Sequence, residues 1–298
     1  MTEGEAWSAQ LVAELRAARY APRAWIPFLA HSFARARKTR AERRRAHRQT
    51  VAIGVVGVAA WSAALAAGRP WLALAGGIWW LLVTLMVDWH LGMLEHPSGR
   101  RLDGLGLANL LSIARAAVVP ALVVAPPALL AALLLPAGIA DGIDGRVARA
   151  RNEQSRLGLS LDGGVDGFII GAAAIGAARA GVLPWWAAAF ALGRHVLQWL
   201  VAAVGFFART QTPARDGFVS GKIPGLVLFA GLVLAAFRVP GAPVLVLLGA
   251  LGGIVTLGLT AARSRPRTVD VRLVGTPTTA VHDRRSEIAS TRPGAPTR

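Results

Sequence analysis

The sequence predicts an all-α integral membrane protein with eight spans, and three observations carry that prediction. The apolar residues come in uninterrupted blocks, several as long as the roughly 20 residues that cross a bilayer. Mean hydropathy is positive at +0.48, and only 16% of the 298 residues are charged, where a soluble domain carries about a quarter. Arginine and lysine gather at every second junction between blocks, the pattern that orients membrane helices with their basic ends in the cytoplasm. The net charge of +17 therefore reads as topology and contact with anionic headgroups. Nucleic-acid binding is set aside, because no aromatic–basic interleaving or folded binding module accompanies the charge. Cysteine is absent, which excludes a disulfide framework and thiolate chemistry.

Residues 1–49 read as a cytoplasmic basic amphipathic segment. Leu11, Leu15, Trp25 and Phe28 recur at helical spacing, and eight Arg or Lys lie between Arg35 and Arg48, as in a helix lying in the membrane interface. No short apolar core with a cleavage site is seen there, so a cleavable signal peptide is not expected. Residues 50–88 form a transmembrane hairpin, with spans 51–68 and 70–88 joined by "GRP". A polar connector, 89–108, follows. Asp88 at its edge and His90, Glu95 and His96 within it fit no compact ligand set and read as interfacial polarity. Six spans then fill a core at 109–262, at about 109–125, 128–142, 160–180, 184–206, 223–238 and 242–261, and alternate turns hold "APP", "GVLP" and "VPGA". The tail, 263–298, is rich in Arg, Thr and Pro and reads as disordered cytoplasmic chain. Both termini are thus expected in the cytoplasm.

Between the second and third core spans, "DGIDGRVARARNEQSRLGLSLDGGVDG" sets four aspartates in an oily chain. Asp141 and Asp144 are three apart, Asp162 and Asp166 four apart, so each pair shares a helix face. A charge at mid-membrane costs about 2.5–3.5 kcal/mol on insertion scales, less near the interface, and four like charges repel. A cation must sit among them. Arg149 is close enough in sequence to pair with one carboxylate. Divalent metal suits the set better, because oxygen ligands without His or Cys favour Mg²⁺, Mn²⁺ or Ca²⁺. Four carboxylates can hold two ions about 3.5–4 Å apart, as in phosphoryl and nucleotidyl transfer. Gly145, Ala148 and Gly158 leave space beside the acidic faces, either for a ligand to approach backbone or for close helix packing.

The spacing Asp141-x2-Asp144-Gly145-x2-Ala148-Arg149-x8-Gly158-x3-Asp162-x3-Asp166 resembles the signature of the CDP-alcohol phosphotransferases at all eight fixed positions. The resemblance covers about 105–262, and "NLLSIAR" at 109–115 looks like the family's opening of its first core helix. It implies a six-helix catalytic core, here preceded by an extra hairpin. It also implies transfer of a substituted phosphate from a CDP-alcohol, such as CDP-diacylglycerol, to an acceptor alcohol in phospholipid synthesis, with release of CMP. By the same resemblance Asp141, Asp144 and Asp162 are ligands of Mg²⁺ or Mn²⁺, with two ions. Asp166 is the base that takes the acceptor's proton, with metal contact also open to it. Gly145, Ala148, Arg149 and Gly158 line the CDP pocket, and a homodimer in the cytoplasmic membrane is expected.

Departures from the pattern concern the acceptor. Members using glycerol phosphate have "LDPxADK" around the last two aspartates, whereas this chain reads "LDGGVDG" and places Gly167 at the lysine. "SGKIPG" at 220–225 resembles a family segment without its following threonine. Arg194, Arg215 and Lys222 are candidate contacts for an acceptor phosphate, with plain interfacial charge the alternative for the last two. Arg194 falls mid-span, where an unpaired structural arginine is expensive. Two rival classes are a cation transporter and a catalytically silent lipid-binding scaffold. The first would need polar residues or broken helices at mid-membrane; the complete motif argues against the second.

Overall fold

A computed structural model describes residues 3–209 and 221–263. Among these residues the chain is helical throughout, with no strand and one isolated bridge pairing Glu95 with Arg101. Seven helices are long and apolar enough to cross a membrane. The protein is a multi-pass integral membrane protein.

Two helices precede the first span: α1, Glu3–Ala17, and α2, Pro22–Glu42. The turn between them places Arg19 and Tyr20 at positive φ. The hairpin follows as α3, Arg44–Ala66, and α4, Pro70–Trp89, with Gly68 at φ +67 in the turn and a proline opening α4, the position where its missing N–H costs nothing. The hairpin interlocks through size. Gly57 faces the Trp80 indole and Gly76 faces Trp61, so a Cβ at either glycine would overlap the ring opposite. Trp80 Nε1 also donates to the Ile53 carbonyl at 2.8 Å. Most other side chains of α3 and α4, such as Val55, Val56, Leu81 and Leu85, are exposed, because lipid rather than protein covers them.

The connector crosses Leu91–Met93 as a single 3₁₀ turn and leads to α5, Gly106–Ala116, and α6, Val119–Val124. These two share one membrane crossing, Gly106–Val124, broken at Ala117–Val118. Then come α7, Pro127–Ala150, and α8, Arg156–Arg179, followed by α9, Trp185–Arg209. The last two helices are α10, Lys222–Ala236, and α11, Ala242–Arg263. Helix α8 is central, touching α5, α6, α7, α9 and α10. Its buried face is mostly glycine and alanine, including Gly171, Ala173, Ala174, Gly176 and Ala177, which lets backbones approach closely where lipid offers no hydrophobic drive between helices. At Gly176 a Cβ would run into the Leu122 carbonyl.

Two expectations change. Asp141 and Asp144 precede no long loop, because α7 runs on to Ala150 and α8 begins at Arg156. The connection is only Arg151–Ser155. The expected span at 223–238 is a 15-residue apolar helix, α10, shorter than the other crossings. The tail from 264 onward, and Arg215, lie outside the described residues.

Candidate active site

The short α7–α8 connection is held on three sides. Asn152 takes the left-handed conformation at φ +54, and its carbonyl accepts from Arg100 Nη2 at 2.8 Å. Glu153 accepts from the Leu107 backbone N–H at 2.8 Å and pairs with Arg151 at 3.0 Å, placing a carboxylate on the unsatisfied N–H groups opening α5. The Ser155 hydroxyl caps α8 by accepting from the Gly158 N–H at 3.0 Å, as N-cap serines do. Asn109 on α5 donates to the same hydroxyl at 3.4 Å. These contacts fix the register of α7 against α8 and bring both acidic pairs to one end of the bundle.

All four aspartates meet there. One carboxylate oxygen from each of Asp141, Asp144 and Asp162 lies within 4.8 Å of the others. The cation among them is Arg115 of α5, not Arg149. Its Nη1 is 2.7 Å from Asp141, 3.0 Å from Asp144 and 3.3 Å from Asp162, while Nη2 bonds Asp166. Ser112, one turn earlier, donates to Asp144 Oδ2 at 3.0 Å. Asp144 and Arg115 are buried; Asp141 and Asp162 are partly open, with side chains 42% and 43% exposed. One face of α5 thus delivers Asn109, Ser112 and Arg115. Sequence reasoning quoted that stretch as a motif but gave none of the three a role, although their spacing of three puts them on one side of a helix.

The donor set fits divalent metal. Three carboxylate oxygens converge without nitrogen or sulfur ligands among them, which suits hard cations. One guanidinium balances a single charge of the four, so at full ionisation three negative charges still call for a partner. Among the described residues this is the one such group able to hold a metal. Asp88 and Glu95 are engaged elsewhere, Asp88 with Arg40 at 2.6 Å and His47 at 2.7 Å, Glu95 with Arg43 at 3.6 Å.

A family profile for CDP-alcohol phosphatidyltransferase matches residues 105–261, more than half of the chain. The chain belongs to the CDP-alcohol phosphatidyltransferase family. Its curated relatives include proteins named "Putative cardiolipin synthase" from Mycobacterium bovis and from two strains of Mycobacterium tuberculosis, each 36% identical over 98 residues. That alignment covers 31% of this chain, and the chain spans about half the length of those relatives, 47%. No solved structure matches.

The other signature positions surround the aspartates unevenly. Gly145 adjoins Asp144, and the nearest atom to a Cβ there is Arg149 Nη1 at 3.5 Å, so the space beside it is open. Gly158 is packed instead: a Cβ would lie 2.6 Å from Asn109 Oδ1. Ala148 is half-buried and Arg149 exposed. Arg194 is buried on α9 and donates through Nη1 to His195 Nε2 at 3.0 Å, while its Nε has no hydrogen-bond partner. Gly253 of α11 makes room for that side chain, since a Cβ there would collide with the guanidinium. Lys222 is exposed at the start of α10. At the lysine position of glycerol-phosphate users, Gly167 faces Trp199 and His195, with a Cβ 2.7 Å from the Trp199 ring.

Proposed function

We propose that this chain transfers a phosphatidyl group from CDP-diacylglycerol to an acceptor alcohol and releases CMP, with its site on the cytoplasmic side of the cell membrane. The convergence of Asp141, Asp144 and Asp162 within 4.8 Å beside Asp166 carries the reading. Asp141, Asp144 and Asp162 would hold divalent metal, Mg²⁺ or Mn²⁺, with a carboxylate oxygen of Asp166 able to join them. Bound there, metal supplies charge neutralisation for the diphosphate and for the leaving CMP.

The chain's own groups do the rest. Asp166 accepts the proton of the acceptor hydroxyl as its oxygen attacks the phosphatidyl phosphorus and the P–O bond to CMP breaks. Asp166 lies one turn beyond Asp162 on α8, so it reaches past the ligand cluster toward an incoming alcohol. Arg115 holds Asp166 in position and, with its Nε unpartnered, has a donor left for phosphate oxygen. The open space beside Gly145 suits a nucleotide approaching α7 backbone, with Ala148, Arg149 and Gly158 completing that wall. Arg194, buried with an unpartnered Nε, is the favoured contact for a phosphate on the acceptor; Lys222, exposed at the start of α10, and Arg215, outside the described residues, are the further candidates.

The relatives' name makes a phosphatidyl-bearing glycerol the first acceptor to try, because cardiolipin is two phosphatidyl groups on one glycerol. Glycine at 167, where glycerol-phosphate users have lysine, agrees with an acceptor other than glycerol phosphate. The test is purified protein with CDP-diacylglycerol, Mn²⁺ or Mg²⁺ and separate acceptors, phosphatidylglycerol among them, scored by CMP release. Metal-dependent CMP release that requires one acceptor is the expected outcome. Undiminished turnover in EDTA would overturn the metal assignment, and no CMP with any acceptor would overturn the transferase.

A further inference from the structure

Helices α1 and α2 belong to no span, yet they are fastened at two places. At one end, Tyr20 Oη donates to the Phe207 carbonyl at 2.6 Å and Arg16 Nη2 to the same oxygen at 3.2 Å. The Trp25 ring meets the Phe207 ring with centroids 5.6 Å apart. At the other end, Trp89 Nε1 donates to Ser32 Oγ at 2.9 Å, Phe33 meets the Trp89 ring at 5.6 Å, and Arg40 pairs with Asp88 at 2.6 Å. Phe207 closes α9, and Asp88 and Trp89 close α4. Both helix ends lie on the side that carries the aspartates, since α8 and α9 form one antiparallel pair and the connector after α4 bonds the α7–α8 loop. Helix α2, about 30 Å long at 1.5 Å per residue, is therefore a strap that runs across that side from the end of α9 to the end of α4.

Apart from the contacts Phe33 makes with Trp89 and Arg40, the strap leaves an apolar stripe uncovered by protein. Ile26, Leu29 and Phe33, spaced three and four apart on one face, are 72%, 54% and 47% exposed. The flanks and the junction into α3 are basic: Arg23, Arg37, Lys38, Arg44, Arg45 and Arg48 are all exposed. Glu42 is the sole acidic residue from Pro22 to Arg48. An apolar stripe bordered by arginine, at the end of the bundle where spans begin and finish, is the composition of an interfacial helix.

We infer that α2 is a docking surface for the anionic leaflet of the membrane, with Ile26, Leu29 and Phe33 seated among acyl chains and the basic flank on lipid phosphates. Charge selects the occupant: a neutral surface would satisfy the stripe but leave the arginines without counter-charge. The inference is independent of the transfer reaction, and its test reads no turnover.

Because the chain lacks cysteine, Leu29→Cys and, on the polar face, His31→Cys each take one environment-sensitive fluorophore. The labelled full chain is reconstituted in vesicles of phosphatidylcholine alone or with added phosphatidylserine. The expected result is a blue shift and quenching by nitroxide lipids at position 29 but not 31, stronger in the anionic vesicles and lost at high salt. A variant with Arg37, Lys38, Arg44, Arg45 and Arg48 changed to Gln should lose the difference between vesicles; the salt series on the unaltered basic residues gives the answer even if that variant folds poorly. Equal quenching at position 29 in both vesicle types and at all salt concentrations would overturn the anionic selection. A fluorophore at 29 that stays in water in both would overturn the docking surface and leave the face to an acidic protein or RNA.

Discussion

With Arg115 held between α7 and α8, the four aspartates share one positive charge, and each depends on it differently. Asp144 is buried and also bonded by Ser112, so it is the member with least access to water. Replacing Arg115 by Met leaves a buried carboxylate without its partner. Breaking such a pair costs about 3–5 kcal/mol, and the low end applies because Asp141 and Asp162 are partly exposed. The metal-free Arg115→Met protein should melt well below the parent in detergent, and Mn²⁺ should raise its melting temperature by more than it raises the parent's. An equal Mn²⁺ shift in both would show that the arginine and the metal do not share the cluster. Asp166→Asn tests the base. Asparagine keeps an oxygen but takes no proton, so turnover should fall about 10²–10⁴-fold while metal-dependent donor binding persists. Asp144→Asn should lose donor and metal binding together. If Asp166→Asn loses donor binding as badly, Asp166 is chiefly a ligand.

Among the elements, α10 and α11 show how close packing replaces polar adhesion in lipid. A Cβ on Gly231 of α10 would lie 2.7 Å from the Val246 backbone nitrogen, and one on Gly249 of α11 would press into Leu228 backbone. Gly249→Leu must therefore separate the two helices; thermal stability in detergent should drop sharply, whereas Gly258→Leu, with open space at its Cβ position, should leave it nearly unchanged. The same elements show what the sequence made legible. Every long apolar block became a helix, because a spanning segment must satisfy its own backbone hydrogen bonds. The end of α7 was misread because hydropathy marks where the bilayer stops, not where the helix does. Arg146 and Arg149 close the apolar block, yet the hydrogen bonds continue to Ala150. The four aspartates were legible from spacing alone. Arg115 was not, because one arginine inside an apolar block vanishes in a hydropathy average, and only its three-residue spacing from Ser112 and Asn109 betrayed a polar face. The α1–α9 contact joins residues far apart in sequence through two backbone-directed bonds to Phe207, and no local pattern encodes that.

For the whole molecule, the alternation of basic junctions makes a topological prediction. Single cysteines at Arg151, in the α7–α8 connection, and at Ala67, exposed in the α3–α4 turn, should lie on opposite sides. In intact cells a membrane-impermeant maleimide should label Ala67→Cys at once and Arg151→Cys only after permeabilisation. The reverse pattern would turn the protein over and move the aspartates outside. The five-residue connection between α7 and α8 has a further consequence, for the order in which the molecule is made. Ser112, Arg115 and all four aspartates belong to one unbroken stretch of chain, and a short loop costs little entropy to close. The cluster lies wholly between residues 112 and 166, so the aspartates and their arginine need nothing from α9, α10 or α11, which all follow in the chain. The remaining helices thus add to a charge cluster whose members all precede them in the chain.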